Sequence, residues 1–275
     1  MISVLILTLN EEANLPACLE SVRCSDDLVV FDSFSSDRTV EIAKAAGARV
    51  VQRKFDNYAD QRNAALTEVT YRHPWVLMLD SDECLSPNLR AEIQHVLSQP
   101  DERITLYRMR RKDMFLGRWL RRSSGYPTWF GRLIRLGHVW VERAVNEEYH
   151  TDGQVGFLNE HLIHHPFRRG ASYWFERHNR YSSFEALAFM QETKAGLGFS
   201  KLFSKDPVLR RKALKQLAYR LPGRSLISFS YLYFFRLGFL DGKAGLFFCA
   251  LRCFYEYMID VKVAELRRRE QGLSL

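Results

Sequence analysis

Two aspartates separated by one residue follow an apolar segment in the first third of the chain. The apolar segment is residues 75–79, and the polar stretch is Asp80-Ser81-Asp82-Glu83. Several acids directly after a buried strand are unfavourable without a counter-charge. Magnesium and manganese prefer carboxylate oxygens together with substrate phosphates. The pattern therefore indicates a divalent metal site that also holds a diphosphate, although a solvated turn has the same residue types.

The elements that must position these acids alternate between strand and helix. Pro16 suits a first helical turn, Gly47 stands where a left-handed C-cap belongs, and Ser86 precedes Pro87 as a helix cap. We predict helices after each of the first four strands, which are residues 3–8, 28–31, 48–52 and 75–79. This order predicts an α/β fold built on a doubly wound, Rossmann-like and mostly parallel sheet.

Polar residues follow three of these strands. Asn10, Asp32 and Asp80 stand at the predicted carboxyl ends, where open parallel sheets bind their ligands. Acids and hydroxyls in the loop that Asp32 opens can accept hydrogen bonds from a nucleobase or ribose. The first loop has no G-x-G-x-x-G fingerprint, which argues against a nicotinamide dehydrogenase. We therefore expect a nucleotide site that is built from three strands.

The rest of the chain has a different pattern. Further strands are predicted at residues 104–109, 132–136 and 155–158, and helices from residue 171 onward. We expect a catalytic domain over residues 1–170, divided into a nucleotide-binding half, 1–100, and an acceptor half, 101–170. Residues 171–275 form the predicted helical C-terminal region.

The net charge of +8 is concentrated in the last part of the chain. Residues 200–275 carry 15 Lys and Arg against 6 Asp and Glu. The strongly apolar stretch at residues 225–259 is interrupted by Arg236, so it is too short to span a membrane. Apolar helices with basic residues suit the interface of an anionic membrane. The alternative is a helical cap that buries its aromatic residues internally.

Cysteine usage bears on the compartment. The five cysteines are scattered without zinc-ribbon spacing, and their odd number favours reduced thiols. Together with the basic tail, this predicts a cytoplasmic protein that is peripheral on the cytoplasmic face of the inner membrane.

An arginine-rich loop interleaved with aromatic residues precedes residue 125. Arginine forks suit phosphates and carboxylates, so we expect this loop to bind an anionic acceptor, and a solvated basic loop is the alternative. No nucleic-acid module pattern accompanies it, so we expect no nucleic-acid partner. The candidate acceptor-binding residues are Arg118, Trp119, Arg121 and Arg122.

Four ordered motifs together resemble the inverting glycosyltransferases of family two, which have the GT-A fold. The motifs begin at Thr8, Val29, Gln61 and Leu79, and the last contains the two aspartates. Later segments resemble the lipopolysaccharide core glucosyltransferases that act on inner-core heptose. These segments are Phe115–Trp119, Gly125-Tyr126-Pro127, Arg132-Leu133, Val145-Asn146-Glu147 and Gly238–Gly242.

The resemblance implies a UDP-sugar donor and assigns its contacts. Nucleotide-sugar binding would involve Thr8, Leu9, Asn10, Glu11, Asp32, Gln61, Arg62, Asn63, Asp80, Ser81 and Arg132. Glu147 matches the acid of a Val-His-Glu motif and would be the general base, although Asn146 replaces the histidine and Glu148 is a rival.

A divalent cofactor, Mg²⁺ or Mn²⁺, is also implied. Asp82 and Asp80 would bind it, and His164, or its neighbour His165, could complete the shell because histidine is a common ligand. We predict transfer of a hexose, glucose from UDP-glucose, in β linkage onto an inner-core heptose of the lipopolysaccharide core. The alternatives are a polyprenyl-phosphate glycosyltransferase and a non-catalytic nucleotide-sugar-binding protein at the membrane surface.

Overall fold

A computed structural model of the protein describes residues 1–142, 148–194 and 223–274. The chain divides into two compact units. Unit 1 consists of Met1–Met114 and Tyr126–Arg169, and unit 2 consists of Phe115–Gly125 and Gly170–Leu275. The arginine-rich segment Phe115–Gly125 thus belongs to the same unit as the C-terminal helices.

Eleven strands are described, and β6 and β11 are the longest of them. They are β1 (Ser3–Thr8), β2 (Asp27–Asp32), β3 (Arg49–Gln52), β4 (Trp75–Asp80), β5 (Glu83–Leu85), β6 (Ile104–Phe115), β7 (Arg118–Trp119), β8 (Trp129–Arg135), β9 (Val139–Glu142), β10 (Glu148–Thr151) and β11 (Gln154–His164). The helices of unit 1 are α1 (Leu15–Val22), α2 (Thr39–Ala45), α3 (Tyr58–Glu68) and α4 (Pro87–Ser98).

The sheet of unit 1 has the strand order β3-β2-β1-β4-β8-β6-β11-β5. Strands β1 to β4 pair in parallel, as do β6 and β11, whereas β8 is antiparallel to both of its neighbours. Strand β5 is antiparallel to β11. The molecule therefore has a mixed α/β fold with a parallel-rich sheet, consistent with the GT-A prediction.

Local signals in the sequence explain where the first helices begin. The Ser86 hydroxyl accepts from the Leu89 amide at 3.2 Å at the start of α4. Asn57 caps α3 by accepting from the Asp60 amide at 2.9 Å. Short polar side chains satisfy free amides at helix starts in this way. Helix α3 begins directly after its cap. The third motif, which begins at Gln61, lies in this helix near the edge of the sheet.

The apolar core lies on both faces of the sheet. Alternate residues of β1 and β4 enter one cluster with α1 and α4, and the residues between them enter a second cluster with α3. Residues 75–79 are buried on both faces, as expected for a central parallel strand. Asp80 is the last residue of this strand, so the acids are presented at the edge of a rigid element.

The described residues of unit 2 that follow Gly170 are mostly helical. Its described elements are α5 (Gly170–Lys194), α6 (Arg224–Ser230), a π-helical turn (Tyr231–Phe235), a 3-10 turn (Gly238–Asp241) and α7 (Gly242–Glu270). The buried Arg224 ties α6 to α7 through Glu256 and Asp260, at 3.2 and 2.9 Å. Within the described part of the chain, we find no helix that combines the length and apolarity needed to cross a bilayer.

Candidate active site

The loops after β1 and β2 are joined by side-chain hydrogen bonds. The Thr8 hydroxyl donates to Asp32 Oδ1 at 2.9 Å, and the Asn10 amide donates to Ser35 Oγ at 2.8 Å. Asn10 Oδ1 accepts from the Ser36 amide at 2.7 Å. The first two sequence motifs are therefore one structural unit at the carboxyl edge of the sheet.

Backbone geometry adds to this connection. Asn10 has a φ of 55°, a left-handed conformation that asparagine tolerates better than most residues. The next two amides donate to the second motif, Glu11 to Thr39 Oγ1 at 2.7 Å and Glu12 to Asp37 Oδ2 at 3.1 Å. The turn at Asn10 thus aims successive backbone donors at the hydroxyl-rich loop.

Asp32 is fully buried and accepts several bonds. Besides Thr8, its carboxylate accepts from the Ser35 amide at 2.9 Å and from Gln52 Nε2 at 3.0 Å. These bonds give Asp32 a clear role in fixing the loop. Its contact with the nucleotide stays a prediction, and the exposed Leu9 beside it leaves the backbone of β1 open at this edge.

The first aspartate of the pair is held between two arginines. Asp80 Oδ1 accepts from Arg62 Nη2 at 2.8 Å, and Asp80 Oδ2 accepts from Arg132 Nη2 at 2.6 Å. Arg132 Nη2 also donates to Glu83 Oε1 at 2.9 Å, and the Asp80 amide donates to Glu83 Oε2 at 3.1 Å. Two acids and two arginines thus form an ionic network of balanced formal charge, which we call the buried ionic network.

Burial of this network controls its electrostatics. Glu83 is 0% exposed, and Arg132 and Arg62 are 3% and 4% exposed. Burial alone would raise the pKa of Asp80, but the charges of Arg132 and Arg62 outweigh it and hold that pKa well below its usual range. Burial opposes the charge on Arg132 as well, yet Asp80 and Glu83 raise its pKa. Asp80 and Arg132 therefore both stay ionised.

The network changes how two predicted nucleotide contacts are understood. Arg132 Nη1 donates to the Tyr149 hydroxyl at 3.2 Å, and Arg62 Nη1 lies 3.3 Å from Met78 Sδ. Both guanidinium groups are thus surrounded by protein partners. This favours a positioning role for Arg62 and Arg132, as counter-ions of Asp80, over direct contact with a diphosphate.

The second aspartate has a histidine partner from the far end of the sheet. Strand β11 pairs with β5 so that His164 stands opposite Glu83, which brings the imidazole beside Asp82. His164 Nε2 lies 3.2 Å from Asp82 Oδ2, and Nδ1 lies 2.7 Å from Asp113 Oδ1. The His165 amide donates to the Asp82 carbonyl at 2.8 Å, which closes the same junction.

The two carboxylates favour the charged form of His164. Burial and Arg111 oppose a positive charge on this ring, but Asp82 and Asp113 outweigh them and raise its pKa to about 8. With both ring nitrogens on carboxylates, the imidazolium holds two anions together. A metal cation at Nε2 would take over the same role.

The residues at this junction fit a divalent metal. Asp82 offers an oxygen and His164 Nε2 a nitrogen, while Asp113 at Nδ1 can orient the ring as carboxylates do for metal-bound histidines. Among the described residues, no group of three or more such side chains converges as a metal cage. Few protein ligands are expected where substrate phosphates complete the shell. Asp80 was predicted as a further ligand, but both of its oxygens accept from arginines, which favours a positioning role.

A family comparison bears on the first half of the chain. The model named "Glycosyl transferase family 2" matches residues 3–146, just over half of the chain. The chain belongs to this family. The matched stretch contains the loops of the first two motifs and the buried ionic network. In this glycosyltransferase, both lie at the edge of the sheet.

Several relatives align with this glycosyltransferase. The lipopolysaccharide core biosynthesis glycosyltransferase LpsC of Rhizobium meliloti is 27% identical over 96% of this chain and 89% of its own. An uncharacterized glycosyltransferase of Rickettsia prowazekii is 27% identical over 99% of this chain and 89% of its own. Another from Rickettsia bellii is 37% identical, but over 40% of this chain and 37% of its own length.

Similarity to solved structures is partial. The glucosyl-3-phosphoglycerate synthase of Mycobacterium tuberculosis, in complex with Mg²⁺ and UDP, is 27% identical over 42% of this chain and 44% of that chain. The TM-score is 0.34. A likeness of this size carries no structural argument for the glycosyltransferase.

Glu11 of the glycosyltransferase is held close to the metal candidates. Its carboxylate accepts from Asn14 Nδ2 at 2.7 Å and lies 3.5 Å from Arg169 Nη1. Burial raises the pKa of Glu11, and the charge of Asp82 acts in the same direction against the Asn14 bond. Ser81, which is also buried, bonds to Glu11. The first motif and the aspartate pair are thereby linked.

The third motif is divided between two roles. Gln61 Nε2 donates to Ser33 Oγ at 3.0 Å and its Oε1 accepts from Arg53 at 2.9 Å, so Gln61 belongs to the loop after β2. Asn63 instead exchanges two bonds of 2.8 Å with the backbone of Val141. Both ends of the Asn63 amide are therefore used to hold β9, which favours a structural role over nucleotide contact.

The predicted base, Glu147, lies outside the described residues, as does Asn146. Its rival Glu148 begins β10 and stands opposite Glu142 in the antiparallel β9–β10 pair. Asn63 anchors β9 of this pair to α3, so the third motif helps to position the strands that flank residues 143–147. The choice between the two acids stays a prediction.

The predicted acceptor-binding residues lie in unit 2. The buried Asp241 carboxylate accepts from the amides of Arg122 and Ser123, at 2.9 and 2.8 Å, and from the Ser123 hydroxyl. Arg118 Nη2 donates to the Leu240 carbonyl at 3.3 Å. Two segments of the lipopolysaccharide-transferase resemblance, the arginine-rich loop and Gly238–Gly242, thus form one contact. Trp119 and Arg121 are neighbours in a cation–π pair.

Several site residues were missed by sequence reasoning. Glu83 completes the ionic network, Arg111 lies 3.6 Å from Glu83, and Asp113 holds His164. Arg168 and Arg169 follow the paired histidines, and Arg168 is exposed. This basic pair, separated from His164 and His165 by Pro166 and Phe167, was a usable signal for cations at the site. The others depend on strand register, which the sequence pattern does not reveal.

Proposed function

We propose that the protein is an inverting glycosyltransferase that moves glucose from UDP-glucose, in β linkage, onto an inner-core heptose of lipopolysaccharide or lipooligosaccharide. The observation that carries the proposal is that the two aspartates have different partners. Asp80 is neutralised by two arginines, while Asp82 pairs with His164 at the edge of the parallel strands. The alignment with LpsC along 96% of the chain supports the acceptor class.

The donor would lie over the joined loops of β1 and β2. The backbone around Thr8 and Leu9 and the loop held by Asp32 offer acceptors and donors for a base and ribose. Asp82 and His164 would hold Mg²⁺ or Mn²⁺, with Asp113 fixing the ring. The metal, when bound, supplies positive charge that stabilises the departing diphosphate.

The chain's own residues then act on the acceptor and the leaving group. One displacement joins the acceptor oxygen to the anomeric carbon as the bond to UDP breaks, which inverts that centre. Glu147 takes the proton of the acceptor hydroxyl. Arg168 and Arg169, which follow the histidines, are suited to contact the diphosphate because arginine forks match phosphate oxygens.

The acceptor would be an anionic glycolipid. Arg118, Trp119, Arg121 and Arg122 are proposed to contact its acidic groups, with the segment fixed by Asp241. The excess of basic residues at 200–275 supports a location on the cytoplasmic face of the inner membrane, with the C-terminal helices at its surface.

A donor screen tests the proposal directly. Purified protein is incubated with several UDP-hexoses, Mn²⁺ and rough-type lipopolysaccharide, and the product is read by mass and by the anomeric coupling constant. We expect one added hexose from UDP-glucose, in the β configuration. A retained α configuration would contradict the inverting mechanism.

A parallel arm separates the acceptor classes. The same donors are offered with polyprenyl phosphate in place of lipopolysaccharide. If product forms only on polyprenyl phosphate, the acceptor is that lipid and not the inner-core heptose. Binding of UDP-sugars with no transfer to either acceptor would favour the non-catalytic alternative.

A further inference from the structure

The π-helical and 3-10 turns of unit 2 expose an unusual number of large apolar side chains. Residues 231–240, which we call the aromatic turn, read Tyr-Leu-Tyr-Phe-Phe-Arg-Leu-Gly-Phe-Leu. Phe234 and Phe235 are 57% and 81% exposed, and no residue of the π-helical turn is buried. Contiguous exposed apolar surface of this kind marks an interaction site rather than ordinary protein surface.

Neighbouring elements extend the same surface. Leu226 and Ile227 are exposed on α6, immediately before the turn, and Leu246 and Phe247 are exposed on the first turns of α7, immediately after it. The rings within the turn are in mutual contact, because Tyr233 lies 5.2 Å from Phe234 and 6.2 Å from Phe239. Tyr233, Phe234 and Phe239 therefore form one aromatic cluster, and exposed apolar side chains precede and follow it in the chain.

The backbone under this cluster is held firmly. Leu237 has a φ of 59°, and a Cβ at Gly238 would approach the Leu232 carbonyl oxygen to 2.6 Å. A Cβ at Gly245 would overlap the Gly238 carbonyl oxygen, so α7 approaches the turn closely. Asp241 anchors the end of the turn by accepting three bonds from Arg122 and Ser123. The apolar side chains are thus presented by a fixed scaffold.

Charge selects the partner. The aromatic turn contains Arg236 and no Asp or Glu, the exposed Lys243 follows on α7, and the nearest acid, Asp241, is buried in its own hydrogen bonds. Apolar and aromatic side chains with basic neighbours suit the headgroup region of an anionic bilayer. An acidic protein partner would leave the aromatic side chains without a matching apolar surface.

We propose that the aromatic turn inserts into the headgroup region of an anionic lipid bilayer and anchors the enzyme there. This inference rests on the proposed function, which places the enzyme at a membrane, and it names the element that makes the contact. Binding would combine burial of the phenylalanine rings with attraction of Arg236 and Lys243 to lipid phosphates.

Vesicle flotation tests the anchor. The double variant Phe234→Ser/Phe235→Ser is compared with Phe157→Ser, a matched control because Phe157 is also 57% exposed but lies in unit 1. On phosphatidylcholine vesicles that contain phosphatidylglycerol, we expect the double variant to lose at least about tenfold in binding, since two rings no longer enter the interface. The control should bind like the wild type. Equal binding by the double variant and the wild type would overturn the proposal.

Two further measurements locate the insertion and test for a protein occupant of the same surface. Phe235→Trp should show quenching by brominated lipids that Phe157→Trp does not show, which locates insertion even if the double variant folds poorly. Light scattering of the wild type without lipid tests a second copy as occupant. A dimer that becomes monomeric in the double variant, with no lipid binding by the wild type, would overturn the proposal.

Activity separates this proposal from the proposed function. With a lipid-free core oligosaccharide as acceptor, the double variant should transfer hexose at the wild-type rate. Transfer by both proteins with unchanged vesicle binding defeats the anchor alone. Vesicle binding without any transfer defeats the proposed function alone.

Discussion

The end of β4 and the aromatic turn depart in opposite ways from the usual distribution of side chains. At the end of β4, charged groups are buried, and each has partners within unit 1. In the aromatic turn, apolar groups are exposed on a firmly held backbone. The first region is complete in itself and preorganised for a ligand, because buried charges are tolerated only when paired. In the second region, the apolar side chains are removed from water only when another apolar surface covers them.

We propose that the first region binds the donor and that the second binds the membrane. Substitutions at the end of β4 should change chemistry, metal affinity or stability. Substitutions in the aromatic turn should leave these properties intact. The following experiments test the first half of that division, from the largest expected effect to the smallest.

Asp82→Asn should lower hexose transfer by at least about 10³-fold, because it removes the anionic ligand of the proposed metal. The measurement is the initial rate with UDP-glucose and Mn²⁺. Asp152→Asn, at an exposed aspartate paired with His138, is the control and should be unaffected. Wild-type turnover in Asp82→Asn would show that the proposed metal ligand is wrong.

Glu147→Gln should lower kcat by about 10²–10⁴-fold while the dissociation constant for UDP stays constant. The amide cannot take the acceptor proton, but donor binding does not need it. Glu148→Gln is the matched comparison. If the Glu148 variant is inactive and the Glu147 variant is active, the base is one residue further along the chain.

Glu83→Gln should reduce the free energy of unfolding by about 3–5 kcal/mol, because it leaves buried Arg132 with an incomplete set of counter-charges. Urea unfolding followed by circular dichroism gives this value. The control is Glu102→Gln, which breaks a surface pair with Arg135 and should cost about 0–1 kcal/mol. Similar losses in both variants would contradict a special role for the buried ionic network.

Asp113→Asn should raise the dissociation constant for Mn²⁺ by about 10–100-fold, because the carboxylate no longer fixes the His164 ring. Electron paramagnetic resonance of free Mn²⁺, in the presence of UDP, measures the change without turnover. Asp101→Asn alters an exposed pair with Arg103 and should leave binding unchanged. Unchanged affinity in the Asp113 variant would make its bond to His164 purely structural.

Mild acid should act on α5 of unit 2 and on the end of β4 at different pH. Burial lowers the pKa of His178 in unit 2 to about 4, from an ordinary value of 6.5. Protonation then favours the unfolded state, so the stability due to neutral His178 is complete above pH 6.5 and is lost as the pH falls towards 4. The pKa of Asp80 is lowered too, but its contribution is lost only below the ordinary value of 3.8.

His178→Gln should therefore flatten the decline in unfolding free energy between about pH 7 and 5. The ring of His178 stacks on Trp174 with 3.7 Å between the ring centroids, and burial opposes a positive charge on it. The readout is the difference in urea midpoint between the two pH values, for wild type and variant. An unaltered pH dependence in the variant would assign the decline to other groups.

Much of the fold could be predicted because its signals are local. The strand at Ser3–Thr8 has the predicted bounds, and Ser86 caps α4 as expected. Other ends shifted by a few residues, and β6 and β11 are much longer than predicted because they pair with each other deep in the sheet. Local apolar patterns find the centre of such strands but not the polar residues at which pairing continues.

The site was predictable to the extent that its motifs lie at strand ends. Asn10, Asp32 and Asp80 are indeed at the carboxyl edges of β1, β2 and β4. The partners of Asp80 were harder to predict, because Arg62 comes from a helix and Arg132 from an antiparallel strand inserted beside β4. That inserted strand explains why Arg132 neutralises Asp80.

The sequence by itself determined the order of elements, the glycosyltransferase motifs and the concentration of basic and apolar residues near the C-terminus. These depend on residues close together in the chain. Only the tertiary structure decided how the two aspartates differ, because the difference comes from partners brought by distant strands. Asp80 meets Arg132 and Asp82 meets His164 because β8 and β11 enter the sheet in a particular order and register, and the second arginine on Asp80, Arg62, comes from α3. Long-range pairing sets that register, and no short pattern in the sequence encodes it.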